Sequence, residues 1–519
     1  MPQWTLRISA IIALLCAAVF CITSIHWPLL GDASLMHYVA FLIDRGKVPY
    51  RDIVDVNMPG TYAVEWMVVH LFGSGSLAWR LFDIALGLAA TLEMMAICWP
   101  EDSLAGVLAG AAFFLTHGRD GMNELGQRDL LMTVLLLGAT AFFCRALQKQ
   151  RLLPIALASI CAGIAVTIKP TAAIFWIAML CYVVFSTTKS NVARLRIFLC
   201  GLSAFLIAPA IAIYSLSRQH AFGAFWQIVT GLIPLHNHLL RQPSIYFLLH
   251  PLPSSLVPVL LIWLATLVIR SREKRAWFSS TETLLTIGFL CGLASFYLQR
   301  KALPYHRYPA DGFFILLVCL GFSRVLQHLS SPTYLKAVGA AGLLFVSLVV
   351  APQCLFKTFK LSSSPSDFSG LLQKDLTTLG GSSLNKDVQC VDFTSGCITT
   401  LYRMQLEQST GFLYDCYMFQ ATDNPVVRQY RETFWDALSA RRPDVLIVSN
   451  QDCGRPNSFD KINRWPELAS LISSQYLLYR EVHPPDLVRW ASTVAQPYSY
   501  RIYQRQKRTV APPIPKPLS

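Results

Sequence analysis

The sequence predicts an α-helical polytopic membrane bundle of about eleven transmembrane helices, followed by a small C-terminal α/β domain. Three observations carry this. Of 519 residues, 54% are hydrophobic and only 14% are charged; a soluble domain averages about a quarter charged. Apolar runs of about 18 residues, the length that crosses a hydrocarbon core, recur as far as residue 352. From residue 356 the chain turns polar, with only short apolar runs. The net charge is +14 and the sequence pI about 9.2. A basic chain suits nucleic acid or an anionic membrane. The apolar runs decide for membrane lipid, and no nucleic-acid partner is expected.

The expected spans are 8–26, 77–98, 104–116 (short), 130–147, 152–168 and 171–186, then 197–216, 252–269, 283–298, 312–326 and 335–352. The first is too long and apolar for an ordinary signal-peptide core and more spans follow, so it is read as retained. Lys and Arg gather in alternate loops: Arg7; Arg145, Lys149 and Arg151; Lys189, Arg194 and Arg196; Arg270, Arg272, Lys274 and Arg275; Arg324 and Lys336. The positive-inside rule makes that set cytoplasmic. Its one dissenter, 99–103, holds Glu101 and Asp102 and no base. An odd number of spans then puts the C-terminal part outside the cytoplasm. The expected domains are 1–355 in the membrane and 356–519 extracytoplasmic, the location being the cell's inner (plasma) membrane.

In the second domain, 361–367 is a Ser-rich linker and 510–519 a Pro-rich disordered end. The runs 387–393 (DVQCVDF) and 443–450 (PDVLIVSN) read as buried strands, 399–408 and 426–440 as helices, and 498–503 as a closing edge strand. No Gly-rich phosphate loop follows either strand, so no nucleotide is assigned. Most of the 14 cysteines sit in spans, where a thiol acts as a small hydrophobe. Cys390, Cys397, Cys416 and Cys453 lie in the tail, where an oxidising compartment permits bridges. Cys453 is the expected participant, with Cys416 or Cys397 as its partner.

The loops opposite the basic set carry the candidate chemistry. The first begins GDASLMHY, placing Asp32 at the membrane surface with His37 and Tyr38 shortly after. A carboxylate there is a helix cap or a functional group. The second, THGRDGMNELGQRDLLM, packs Asp120, Glu124 and Asp129 beside Arg119 and Arg128; local ion pairs in a solvated loop are the plain alternative. Lys169 lies between two apolar spans in IKPTA and is either snorkelling or functional. The turn LQRKALPYHRYPADG brings Arg300, Lys301, His306 and Arg307 together with Tyr305 and Tyr308 where bases should be scarce. That composition suits a phosphate at headgroup depth.

With GDASLMHY, VPYRDIVDVNMPGTY, GQRDLLM, TIKPTA and KALPYHRYP in this order, the chain resembles the GT-C polytopic glycosyltransferases. These include protein O-mannosyltransferases, aminoarabinose transferases and rhizobial lipopolysaccharide-core transferases. The resemblance covers the spans from the first through about residue 312 and, more loosely, the tail. It implies a GT-C-type bundle with an extracytoplasmic active site and a polyprenyl-phosphate-linked sugar donor. Asp32 and the Arg128–Asp129 pair match the family's acidic positions. One departure is Met58, where the aminoarabinose transferases carry a Lys before the Pro, so the donor sugar does not carry over. The function implied is hexosyl or pentosyl transfer to a hydroxyl of a cell-envelope glycan, lipid or protein. Asp32 would take or orient the acceptor proton, and Asp129 would position Arg128 or a sugar hydroxyl. His37, Tyr38, Arg128, Lys169, Arg300, Lys301, Tyr305, His306 and Arg307 would bind substrate. Phosphate is already a good leaving group, so no metal or other cofactor is expected. Two alternatives stand beside this: a transporter or lipid-linked glycan flippase, which would favour inverted repeats, and a non-catalytic assembly protein working through its tail.

Overall fold

The computed structural model describes residues 2–99, 101–187, 190–239, 241–272, 279–327, 333–362, 368–393, 396–483 and 498–506. Lys189, Lys274, Arg275, most of the expected linker and the Pro-rich end lie outside them. Each expected span coincides with a helix. Eight described helical segments are long and apolar enough to cross a membrane by length and composition; Leu152–Ile168 and Ala172–Thr187 are apolar but shorter. Helix Ser103–Asp120 takes the place of the short third span. This is a multi-pass membrane protein. Helix Tyr308–Gln327 is buried almost throughout, packed by Ser103–Asp120, Arg128–Lys149 and Ser280–Gln299. The outer helices expose Leu88, Leu92, Ile207 and Ile211, as expected of faces whose solvent is lipid.

The first long loop folds further than its sequence announced. It contains two helices, Gly31–Asp44 and Pro59–Phe72. The first is buried from Ala33 to Leu42. The last span also runs longer than expected: its helix extends from Thr333 to Ser362, carrying Pro352 inside it.

At the end of the bundle that bears the basic loops, Arg324 pairs with both Glu101 and Glu282. Asp102 accepts from Gln327 Nε2 at 2.6 Å and from Ser323. The dissenting acidic loop is thereby explained. Glu101 answers an arginine from another member of the same set, and Asp102 is held by neutral side chains beside it.

A second compact unit takes in the described residues from Phe368 onward together with Asp52–Asp55. Its sheet contains β1 (Val388–Val391), β2 (Val445–Ser449), β3 (Tyr476–Val482) and β4 (Tyr500–Arg505). The order is β1-β2-β4-β3. β1 and β2 are parallel, Cys390 facing Ile447; β4 is antiparallel to both β2 and β3. The expected closing edge, β4, is therefore an inner strand. β3 and β1 are the two edges, and the exposed Leu477 and Leu478 of β3 kept YLLYREV from showing the alternation that marks a strand. Helices Cys397–Met404 and Pro425–Arg441 stand near their expected places; Phe368–Leu379 and Pro466–Gln475 had not been expected. Cys416 is bonded to Cys453. Cys397 is not a partner of Cys453: it is bonded to Cys390, seven residues away.

Candidate functional site

Four breaks in the helical chain build the site. Helix Ser103–Asp120 ends at Gly121 with φ +98°. A short turn, Met122–Glu124, then leads through Gly126, φ +61°, to helix Arg128–Lys149. Gly serves there because its Cα carries no side chain to oppose a positive φ. Pro170 cannot continue helix Leu152–Ile168, so Lys169 falls at its C-cap. The Ser280–Gln299 helix stops at Arg300 in the left-handed region, and Pro304 opens the turn Pro304–Arg307. Asp32 differs from its expected place. The first helix ends at Ser24, and Asp32 lies in the first turn of the next helix. The cap there is Leu30, with no side-chain cap bond, so capping does not account for Asp32.

These breaks bring seven of the expected residues into one cluster. Arg128 Nη2 donates to Asp32 Oδ2 at 2.8 Å, with Gln127 Nε2 at 3.4 Å from the same oxygen. Lys169 Nζ donates to both oxygens of fully buried Asp129, at 2.7 and 2.5 Å. The same ammonium lies 5.6 Å from the centroid of the Tyr305 ring. Lys301 lies in the field of Lys169, Arg128, Asp32 and Asp129. Buried His306 feels Lys169, Lys301, Arg128 and His236, and its Nδ1 has no partner among the described residues. A narrow cleft opens beside Asp32, lined by Ala33, Met36, Glu65, Trp79, Leu125, Gly126, Gln127 and Arg128.

Crowding of like charge and burial tune the cluster. Burial and the neighbouring cations Lys169 and Arg128 push the Lys301 ammonium down to about 7. Burial holds Lys169 below its usual value, against the pull of Asp129. His236 is pushed down to about 3 by burial, with Lys301 and Arg128 adding to it, and so stays neutral. Burial, with Asp120 and Asp32 close by, pushes the Glu124 carboxyl well up. Its Oε2 has no partner among the described residues.

Other expected residues lie apart. Arg300 is turned onto its own helix, 3.0 Å from the Tyr297 hydroxyl and 5.0 Å from that ring's centroid. Arg307 sits over Phe296 and in the field of Asp311. His37 Nδ1 is 3.2 Å from Glu65 Oε2 and its ring stands edge-on to Trp79. Tyr38 is fully buried against Phe41.

The sequence had not marked Glu124 apart from its loop, and had not marked Glu65 or His236 at all. It also missed a buried polar chain beneath the site. Asp83 Oδ1 accepts from His117 Nε2 at 2.7 Å and from the Gly126 backbone N–H at 2.7 Å. His117 Nδ1 is 2.9 Å from the Tyr308 hydroxyl. Arg80 pairs with Asp83 and donates to Ser24 Oγ at 2.6 Å. The signal available was Arg80 and Asp83 three apart inside an apolar span, a spacing that puts them on one helix face. Among the described residues no group of three His, Cys, Asp or Glu side chains is placed to hold a metal ion.

Residues 57–214 match the family described as dolichyl-phosphate-mannose-protein mannosyltransferase. No curated protein matches the chain by sequence. Among solved structures, ArnT from Cupriavidus metallidurans bound to undecaprenyl phosphate is similar at TM-score 0.58 and 13% identity, over 95% of this chain and 97% of that one. The apo state of the same protein is similar at TM-score 0.59 and 12% identity, with the same coverage. The archaeal oligosaccharyltransferase AglB from Archaeoglobus fulgidus, in complex with an inhibitory peptide and a dolichol-phosphate, is similar at TM-score 0.51 and 11% identity, over 95% and 81%. The resemblance read from the sequence holds at the level of architecture: this chain has the fold of the GT-C polytopic glycosyltransferases.

Proposed function

We propose that this chain is a membrane glycosyltransferase that moves a hexosyl or pentosyl group from a polyprenyl-phosphate donor to an acceptor hydroxyl. The acceptor belongs to a cell-envelope glycan, a lipid or a protein outside the cytoplasm. The observation that carries this reading is one cluster with two halves: a carboxylate held by an arginine (Asp32–Arg128), and a basic half of Lys169, Lys301 and His306 beside Tyr305. Two proteins of the same fold, seen with undecaprenyl phosphate and with a dolichol-phosphate, support the choice of donor.

The acceptor oxygen bonds to the anomeric carbon as the bond from that carbon to the phosphate oxygen breaks. The bonding pair leaves with the phosphate, whose growing charge meets Lys169, Lys301 and Arg128. The hydroxyl proton passes to Asp32, a step worth typically about 10²–10⁴-fold. Asp129 holds Lys169 in place. The alternation of Lys and Arg loops supports placing the C-terminal domain, expected as 356–519, on the extracytoplasmic side of the inner membrane proposed for this chain.

Purified protein in lipid nanodiscs, given a panel of polyprenyl-phosphate sugars and an acceptor extract, should transfer sugar. Turnover with nucleotide sugars alone, and none with the lipid donors, would overturn the reading. Reporters active only outside the cytoplasm check the sidedness: a fusion after Pro352 should be active and one after Arg275 silent.

A further inference from the structure

Ser24, Arg80, Asp83, His117 and Tyr308 are all fully buried. They form one chain of polar contacts linking four membrane helices: Pro2–Ser24, Ser76–Cys98, Ser103–Asp120 and Tyr308–Gln327. Ionisable groups inside a bundle are costly and call for a reason. As packing alone they are a poor choice, since apolar residues of similar volume often serve as well or better.

The two ends of this chain show what the cost achieves. Asp83 Oδ1 accepts from the backbone N–H of Gly126. Gln127 and Arg128, the next two residues, are the ones that reach Asp32. One turn earlier on the same helix as Asp83, Trp79 Nε1 donates to Leu125 O at 2.9 Å. The acidic half of the site therefore hangs on residues 125 and 126, and both are gripped from helix Ser76–Cys98. At the other end, the hydroxyl of Tyr308 meets His117 Nδ1 at 2.9 Å. Tyr308 directly follows the turn Pro304–Arg307, which carries Tyr305 and His306 of the basic half.

We propose that Asp83 and His117 are positioning residues. They tie the acidic half of the site to the basic half through one buried hydrogen-bonded chain, so that neither half moves alone. Asp83 accepts from His117, which fixes the proton on Nε2 and leaves Nδ1 to accept from the Tyr308 hydroxyl. The ring is thereby held between two helices in one orientation. The consequence for turnover rests on the transferase reading; the consequence for backbone exchange does not.

Tyr308→Phe removes one hydroxyl and keeps the ring beside Phe113. Hydrogen–deuterium exchange by mass spectrometry should show faster exchange in 121–127, about 2–10-fold for one lost hydrogen bond, although the substitution lies in another helix. Asp83→Asn should do the same more strongly. In the transfer assay, both variants should lose about tenfold or more in kcat per binding-competent molecule, counted by bound undecaprenyl phosphate. A merely structural role would lower the competent fraction and leave kcat per competent molecule in place. Faster exchange confined to 304–308 in Tyr308→Phe, with 121–127 unchanged, overturns the proposal. Should Asp83→Asn fail to fold, Tyr308→Phe carries the test. If wild-type protein transfers from no lipid donor, the function reading fails, and the exchange measurement alone decides this one.

Discussion

The two ends of the bundle use the same residue types and differ in whether their polar groups are filled. At the Arg324 end, Arg324 bridges Glu101 and Glu282. Glu282 also closes a capping box with Ser279, and Asp102 takes Ser323 and Gln327. At the Asp32 end, Lys301 makes no hydrogen bond or ion pair with a described residue, and His306 Nδ1 and Glu124 Oε2 are buried without a described partner. A buried polar atom left unmade costs about 1–3 kcal/mol. Such atoms persist together where a ligand fills them, and groups pushed off their usual pKa gather at working sites. Closed valences mark the end that holds the helices together. Open ones mark the end that binds.

The largest effect should come from Asp32→Asn. Asp32 is not the cap of its helix, so the substitution leaves the helix start unchanged. It keeps an oxygen for Arg128 and loses the proton acceptor. Turnover should fall by about 10²-fold or more with normal expression and melting behaviour. A well-folded Asn variant with near-normal transfer would remove Asp32 from the chemistry and make Asp129 the next carboxylate to replace.

Next comes the pH dependence that Lys301 imposes. Burial and its cationic neighbours hold its pKa near 7 in the free protein, below that of an ordinary lysine. An anion at the site favours the ammonium, so binding above that pH takes up a proton. The donor is a phosphodiester, whose single charge does not titrate in this range. Its affinity should be flat below pH about 7 and fall above it, by at most about tenfold per unit. Lys301→Gln should weaken binding at pH 6 and flatten the profile. A wild-type affinity that rises with pH would contradict the assignment.

How far the sequence could be read differs between the same two ends. The spans were legible because apolar length is a strong signal. The Glu101–Asp102 loop looked like an exception to the charge rule only because its partner, Arg324, is more than 200 residues away. The content of the site was legible and its geometry less so. Asp32, Arg128, Asp129, Lys169, Lys301, Tyr305 and His306 come from separate loops that meet. Arg300 was counted with them because it neighbours Lys301, but a left-handed φ of +53° at Arg300 lets its side chain fold back on Tyr297. Composition cannot show such a turn. Asp83 and His117 were hidden for another reason: Arg80 and Asp83 are diluted within an apolar span, where a span-finding window averages them away, and His117 is outnumbered by the charged residues of the loop it opens. In the second unit, β1 and β2 are buried along their whole length and read clearly. β3 sits at an edge with most of its residues exposed and gave no pattern.

A smaller effect is expected from Glu282→Gln. The Glu282 side chain is only 2% exposed beside Arg324, and its carboxylate also accepts from the Ser279 backbone N–H at 2.9 Å. Ser279 and Arg324 both donate to the same oxygen, Oε2, so an amide oxygen placed there can keep both bonds and only the charge is lost. Stability should drop by about 1–3 kcal/mol, read as a lower melting temperature in nanodiscs. Transfer per folded molecule should be unchanged.

The smallest effect is expected from Glu101→Gln. The Glu101 side chain is 36% exposed, so water already screens its pairing with Arg324, and exposed pairs contribute about 0–1 kcal/mol. Arg324 keeps Glu282, which is the better-buried partner, so no charge is stranded. The substitution should therefore leave melting nearly unchanged at moderate salt, with any loss shrinking further as salt is raised. Turnover should stay within about twofold, since surface substitutions of this kind move stability by only about 0.5 kcal/mol. This variant tests the comparison at its weakest point. The closed end is assigned to holding helices and the open end to binding, and Glu101 belongs to the closed end while being its most exposed carboxylate. If Glu101→Gln lowered transfer tenfold with melting intact, the two ends would be coupled across the bundle, and the division of labour between them would have to be given up.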